Sequence, residues 1–487
     1  MSSIDHADTS DSIFTLFSPR LLPATLMLGG GVTLYAVESY ITATLTPSIV
    51  RDIGGLELFS WMTTLFVAAG VLGSITVATR PRGMGLRAVY VAAALIFGAG
   101  NLICAIAPTM HVVLAGRAVQ GYGVGMLAGL AYAFIRFVYP EPMWRKASTL
   151  YAAIWGVATV LGPTLGGMFS AGHAWREAFI ILVPVAGLMA LSARWLLPKV
   201  KDDRAEGKTP LVQIALLLTA VLLTSFASTS DHESYKILLI GLSVAFIAAM
   251  LIFESKGQTR LLPTGAVTLA KPISRLYLMM FTMMLVLTSD IYIPYFLQNL
   301  HGVAPLASGY LVALVALGWT VAAFFSASFS GRQAVIAIII GCVLETVSTA
   351  SLIPFVARDN PAGHLIWLAP AVISMFLMGF GVGLGWGHLI ARIISLADQT
   401  EQDKASAAIS MVQSLGGAFG AALAGVIVNS AGLAHPGGIG GRMVDPVTVR
   451  RLTMIGCRLA FSATEPPRKA IIDRQPSLAS EARFFSK

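Results

Sequence analysis

Two ionisable residues stand inside apolar stretches where a charge is costly. Glu38 interrupts a run from Leu21 to Val50 that has no other charge, and Arg117 is the one charged residue between His111 and Arg136. In a low-dielectric layer a carboxylate and a guanidinium attract each other strongly, and protonating the carboxylate removes that attraction. The chemistry open to such a pair is the uptake and release of a proton. Asp290 and Glu345 are the equivalents in the second half of the chain, candidates for coupling or substrate binding. Tyr35, one helical turn before Glu38, and Gln120, close after Arg117, are candidates for lining a cavity. An aromatic ring at Tyr35 favours aromatic or cationic ligands.

Other chemistries find little support. Gly207-Lys208-Thr209 has the ending of a phosphate loop, but Asp202 stands where its first glycine belongs. Gly121-x-Gly123 lies in an apolar span, and His232-Glu233 has no second histidine at metalloprotease spacing. Cys104, Cys342 and Cys457 offer no redox or metal spacing, while His364 and His388 fall near span ends. The expectation is a protein that is not an enzyme and uses no cofactor, metal or nucleic acid.

The elements that must hold these residues are membrane helices. Of 487 residues, 56% are hydrophobic and 12% charged, with 47 glycines and three cysteines. Soluble proteins carry roughly 25% charge. Thirteen stretches are long and apolar enough to cross a bilayer: 21–47, 58–79, 88–107, 112–135, 148–170, 177–197, 210–230, 236–253, 274–298, 305–329, 334–356, 365–391 and 405–431. Each is read as a helix, which satisfies its own backbone in lipid. Asp5, Asp8 and Asp11 precede the first arginine, unlike a signal peptide, so the first span should stay in the protein.

Lysine and arginine orient these spans. With the N-terminus in the cytoplasm, the cytoplasmic side collects nineteen of them, and the other side only Arg51, Arg176, Lys236 and Arg358. The net charge of +9 is therefore juxtamembrane charge. In this orientation Glu38 lies nine residues before Pro47, and Arg117 six residues after His111. At about 1.5 Å per residue both sit roughly 9–14 Å below the outer face.

The chain is internally duplicated. Gly121, Gly125 and Gly129 in the fourth span are repeated by Gly379, Gly383 and Gly387 in the twelfth. Gly162 and Gly166 in the fifth are repeated by Gly416 and Gly420 in the thirteenth. Four-residue spacing lets helix backbones approach closely. The expected organisation is a cytoplasmic segment over 1–19, a six-helix bundle over 20–197, a connector with two extra helices over 198–271, a five-helix bundle over 272–432 and a basic tail over 433–487. Both the repeat and the charge pattern of the tail lead to the expectation that a fourteenth span has been lost.

Arg117-x-x-Gln120-Gly121-x-Gly123, Gly156-x5-Gly162-Pro163-x-x-Gly166-Gly167, Trp175-Arg176 through Phe179 and Pro184, and Tyr35 to Pro47 around Glu38 can be read together. With Tyr292-Ile293-Pro294-Tyr295-Phe296-Leu297-Gln298, Gly302 and Gly309, they resemble the major facilitator superfamily, in particular its fourteen-span drug:proton antiporters. The likeness covers roughly residues 20–432. It implies an all-α membrane fold of two pseudo-repeated bundles, proton coupling through Glu38 and Arg117, and an antiporter motif at Gly156, Gly162, Pro163, Gly166 and Gly167. The loop from Gly73 to Arg87 keeps Arg80, Arg82, Gly83 and Arg87 but lacks the acidic residue of that family.

The resulting expectation is a proton-driven exporter of small amphipathic compounds, monomeric, in the inner cell membrane. A transporter of a metabolite, sugar or siderophore with the same fold stays open. So does a non-transporting or inactive membrane protein, given the altered C-terminus.

Overall fold

The computed structural model describes residues 13–78, 85–140, 143–171, 174–198, 210–230, 232–257, 259–356 and 365–430. The tail, the expected fate of the last span, and Arg80, Arg82, Gly83, Lys208 and His364 lie outside the described residues.

Every long element is a helix: α1 (Leu22–Ile53), α2 (Phe59–Ala78), α3 (Leu86–Ala105), α4 (Met110–Val138), α5 (Trp144–Ala171), α6 (Trp175–Leu196), α7 (Leu211–Ser228) and α8 (Glu233–Lys256). The second half continues with α9 (Pro272–Leu287), α10 (Ile293–Asn299), α11 (Pro305–Ser326), α12 (Gly331–Val356), α13 (Ala369–Leu396) and α14 (Gln402–Ser430). A 3₁₀ stretch, Thr288–Tyr292, joins α9 to α10 within one span, Pro272–Asn299. With that pair counted once, the thirteen expected spans fall on thirteen helices among the described residues. Eleven are long and apolar enough to cross a membrane by length and composition alone. The other two are α1 and α4, the helices that carry Glu38 and Arg117.

Sequence explains the ends. Proline occupies the first turn of α1, α9, α11 and α13, where a missing N–H costs nothing. Gly54 and Gly55 adopt φ of 72° and 81° and turn the chain from α1 towards α2. Large apolar side chains point outward, among them Leu188, Trp195, Ile237 and Phe324. Facing water they would be a liability, whereas lipid accepts them. The chain is a multi-pass membrane protein.

Helices α1–α6 form one half and α9–α14 the other, with the same packing plan. Helix α4 lies against α2 and α3 as α13 lies against α11 and α12, and α5 lies against α1 as α14 lies against α9. Helices α7 and α8 pair with each other, and α7 packs onto α2 and α14. The membrane face where α1 begins is termed the near face, and the opposite one the far face.

Near the far face the halves meet. Gly167 at the end of α5 abuts Leu306 at the start of α11, and Phe59 at the start of α2 stacks on Tyr292 at 4.8 Å. Asn429, at the end of α14, donates to the backbone carbonyls of Glu57 (2.9 Å) and Ser228 (2.8 Å). On the near face, Glu401 ahead of α14 accepts from the Thr264 N–H at 2.7 Å in the α8–α9 loop. That backbone hydrogen bond holds its carboxyl below the ordinary value.

Candidate functional site

Alternate small and polar residues on α1 and α4 decide the site. Glu38 is 0% exposed and Arg117 2%, and Arg117 Nη1 donates to Glu38 Oε1 at 2.8 Å. Thr42, one turn beyond Glu38 on the same helix, donates to the same oxygen at 2.7 Å. Glu38 Oε2 is buried with no hydrogen-bond partner.

Arg117 is held more firmly than its acid. Its Nε donates to the Met62 carbonyl on α2 at 3.2 Å, and its Nη1 also donates to Gln120 Oε1. Its guanidinium lies 4.0 Å from the centre of the Phe66 ring. Gln120 then donates to Asn101 Oδ1 at 2.9 Å, and Asn101 to the Phe97 carbonyl at 2.9 Å. The network therefore runs from α1 through α4 to α3. Thr42 and Asn101 were not among the predicted site residues, although each is a polar group at helical spacing in an apolar run. The Met62 carbonyl carries no sequence signal at all.

Partly exposed Tyr35 meets Trp155 edge-on at 5.2 Å and Phe66 at 6.0 Å, one turn from the ion pair. These rings join α1, α2 and α5. The glycines of α5 form a seam on both sides of that helix. A Cβ at Gly162 would strike Tyr40 of α1, and one at Gly166 would come within 2.9 Å of Thr44. On the other side, a Cβ at Gly167 would meet Leu306 Cβ at 2.7 Å, and Pro163 lies against Gly309. Gly156 differs, because an added Cβ there meets nothing within 4 Å.

Residues 27–421 match the family model described as Major Facilitator Superfamily. The chain belongs to that superfamily. It is 35% identical over 426 residues to a probable multidrug-efflux transporter of Mycobacterium tuberculosis, covering 85% of this chain and 88% of the relative. It is 25% identical over 418 residues to multidrug resistance protein 3 of Bacillus subtilis, covering 82% and 77%. Among solved structures, a peptide transporter, POT, bound to sulfate shares the fold with a TM-score of 0.66 at 14% identity, covering 90% of this chain and 93% of that one. The protein is a major facilitator superfamily transporter.

Within this major facilitator chain the duplication has a register that can be read from contacts. Gly162 and Gly166 touch Tyr40, Ile41 and Thr44 on α1, and Gly416 and Gly420 touch Met284, Leu285 and Thr288 on α9. Gly121 and Gly125 meet Phe66 and Gly70, as Gly379 and Gly383 meet Val315 and Trp319. In that register Thr282 is the counterpart of Glu38, and Met375 that of Arg117. Asp290 and Glu345 thus occupy other positions in the repeat than the sequence reading assigned to them. Glu345, 2% exposed, sits where α12 meets Gly381 of α13, with Oε1 unpartnered. Asp290 is partly exposed in the 3₁₀ stretch between α9 and α10. Among the described residues the buried ion pair belongs to the first half alone.

Proposed function

We propose that this transporter exports small amphipathic compounds in exchange for protons, as a member of the fourteen-span drug:proton antiporter branch. The observation that carries the proposal is the Glu38–Arg117 pair, buried and with one carboxylate oxygen unpartnered. The names of the Mycobacterium and Bacillus relatives support efflux of drugs as the task.

A proton arriving at this site goes to Glu38 Oε2, because Oε1 already accepts two hydrogen bonds. Protonation cancels the charge that draws Glu38 to Arg117. Arg117 keeps Met62, Gln120 and the Phe66 face, so Glu38 is the partner that lets go. Losing a buried counter-charge is expensive, which ties the protonation state to the position of α1 against α4. The α5 seam, with α1 on one side and α11 on the other, is where such a change reaches the second half.

In this proposal the near face is cytoplasmic, the membrane is the inner cell membrane and the protein acts as a monomer. The proton gradient supplies the energy and no cofactor takes part. Tyr35 and Gln120 flank the substrate path, and residues 20–197 and 272–432 act as the two moving bundles. The test is proton-driven efflux of a fluorescent dye from vesicles. Glu38→Gln is expected to abolish gradient-dependent efflux in inserted protein; unchanged gradient-driven efflux would overturn the proposal.

A further inference from the structure

The loop that carries the chain from α8 to α9 holds a cavity of about 170 Å³ on the near face, with Glu254, Arg260, Thr268 and Lys271 in its wall. Drug-sized ligands occupy pockets of roughly 300–1,000 Å³, so this one suits a smaller group. None of its lining residues belongs to the network around Glu38 and Arg117. We infer that this cavity binds the phosphate of an anionic phospholipid headgroup, held by Arg260 and Lys271.

The lining is arranged for an anion. Arg260 uses Nε and Nη2 on the carbonyls of Gly257 (3.1 Å) and Ser255 (3.4 Å), which leaves Nη1 with no hydrogen bond among the described residues. The ammonium of Lys271, just ahead of α9, makes none there either. Gly265 adopts φ of 87°, and a Cβ on it would strike the Lys271 stem, so the loop turns tightly beneath that side chain. Glu254, the one carboxylate in the wall, is 2% exposed and has both oxygens engaged. Its Oε1 accepts from the Leu262 N–H at 2.6 Å and its Oε2 from the Leu261 N–H at 3.1 Å. Glu401 is engaged in the same way, by the Thr264 N–H and by Lys404 at 3.2 Å. Two cations with donors to spare, beside acids already satisfied, favour a phosphate.

The apolar surroundings decide which phosphate. Leu251, Ile252 and Phe253, in the turn of α8 that leads to Glu254, are exposed, and Leu269 in the loop is 66% exposed. Apolar side chains on both flanks of a charged cavity place it where acyl chains give way to headgroups. A free phosphate has no use for those flanks, whereas a phospholipid lays its chains along α8 and its phosphate in the cavity. In the orientation proposed above, the leaflet is the cytoplasmic one, whose anionic lipids attract basic segments. A bound headgroup joins the end of α8 to the start of α9, and so the α7–α8 pair to the second half.

Binding can be measured without transport, so the inference is independent of the export reading. Radiolabelled dioctanoylphosphatidylglycerol would be bound to the purified full chain in an uncharged detergent, then competed with dioctanoylphosphatidylcholine and with glycerol 3-phosphate. The choline lipid is expected to compete about tenfold more weakly than phosphatidylglycerol itself, and glycerol 3-phosphate not to displace the label. Lys271→Gln, at an exposed side chain with no hydrogen bond to lose, should weaken phosphatidylglycerol about fivefold, and Arg260→Gln at least as much. Lys256→Gln, at the end of α8 but outside the cavity wall, should leave it unchanged. Equal competition by the choline lipid would show that charge is not selected and would overturn the assignment. So would displacement by glycerol 3-phosphate at the concentration of the lipid, which would mark a site for free phosphate. Lys271→Gln without effect, or matched by Lys256→Gln, would reduce the cavity to diffuse surface charge and overturn it equally.

Discussion

Glu38 presents one carboxylate oxygen to Arg117 at 2.8 Å and leaves the other unpartnered. A structural strut would use both oxygens, since Arg can bind a carboxylate through two parallel hydrogen bonds. The single contact leaves a place for a proton without displacing any donor.

Arg117→Met removes the cation and leaves Glu38 buried and charged. Breaking such a pair costs about 3–5 kcal/mol, whereas replacing both partners restores much of it. The double variant Glu38→Gln/Arg117→Met is therefore expected to be more heat-stable than Arg117→Met alone. Thermal unfolding of the detergent-solubilised chains reads this, and both are expected to lack gradient-driven efflux.

The α5 glycines should separate by neighbour. Gly162→Ala drives a methyl into Tyr40 and is expected to cost about 1–3 kcal/mol. Gly156→Ala meets open space and should stabilise by up to about 1 kcal/mol through helix propensity. Melting curves and initial efflux rates distinguish them: only Gly162→Ala should slow transport.

Asn429 is the hydrogen-bonded latch of the far face, tying α14 to the 3₁₀ turn ahead of α2 and to α7. Its two bonds are worth about 1–3 kcal/mol together, on the order of tenfold in the closed-to-open ratio. Asn429→Ala should speed labelling of a Ser60→Cys reporter by an impermeant maleimide about tenfold in an otherwise cysteine-free chain. Unchanged labelling would show that closure rests on packing, such as Gly425 against Ser60.

Glu401 sets a pH dependence on the near face. Its carboxyl is held below the ordinary value by the Thr264 N–H. Its contribution is therefore full above the unfolded value of about 4.3 and is lost as pH falls through the depressed folded value. The melting-temperature gap between the wild-type chain and Glu401→Gln should be present at pH 7 and close under acid conditions below about pH 4. A gap that widens with acid would contradict this origin.

Composition and periodicity determined the helices, their number and the duplication, because lipid leaves a backbone little choice but to pair within each span. They also marked Glu38 and Arg117, since a charge in an apolar run is visible wherever it points. Depth arithmetic put both at one level, but whether they touch depended on the faces that α1 and α4 turn to each other. Glycine contacts settled those faces, as they settled the register that makes Thr282 and Met375, rather than Asp290 and Glu345, the counterparts of the pair. The Met62 carbonyl, the unpartnered Oε2 and the two-sided seam of α5 are relations between helices distant in sequence. Spacing along one chain says which side chains share a face; only packing decides what that face meets.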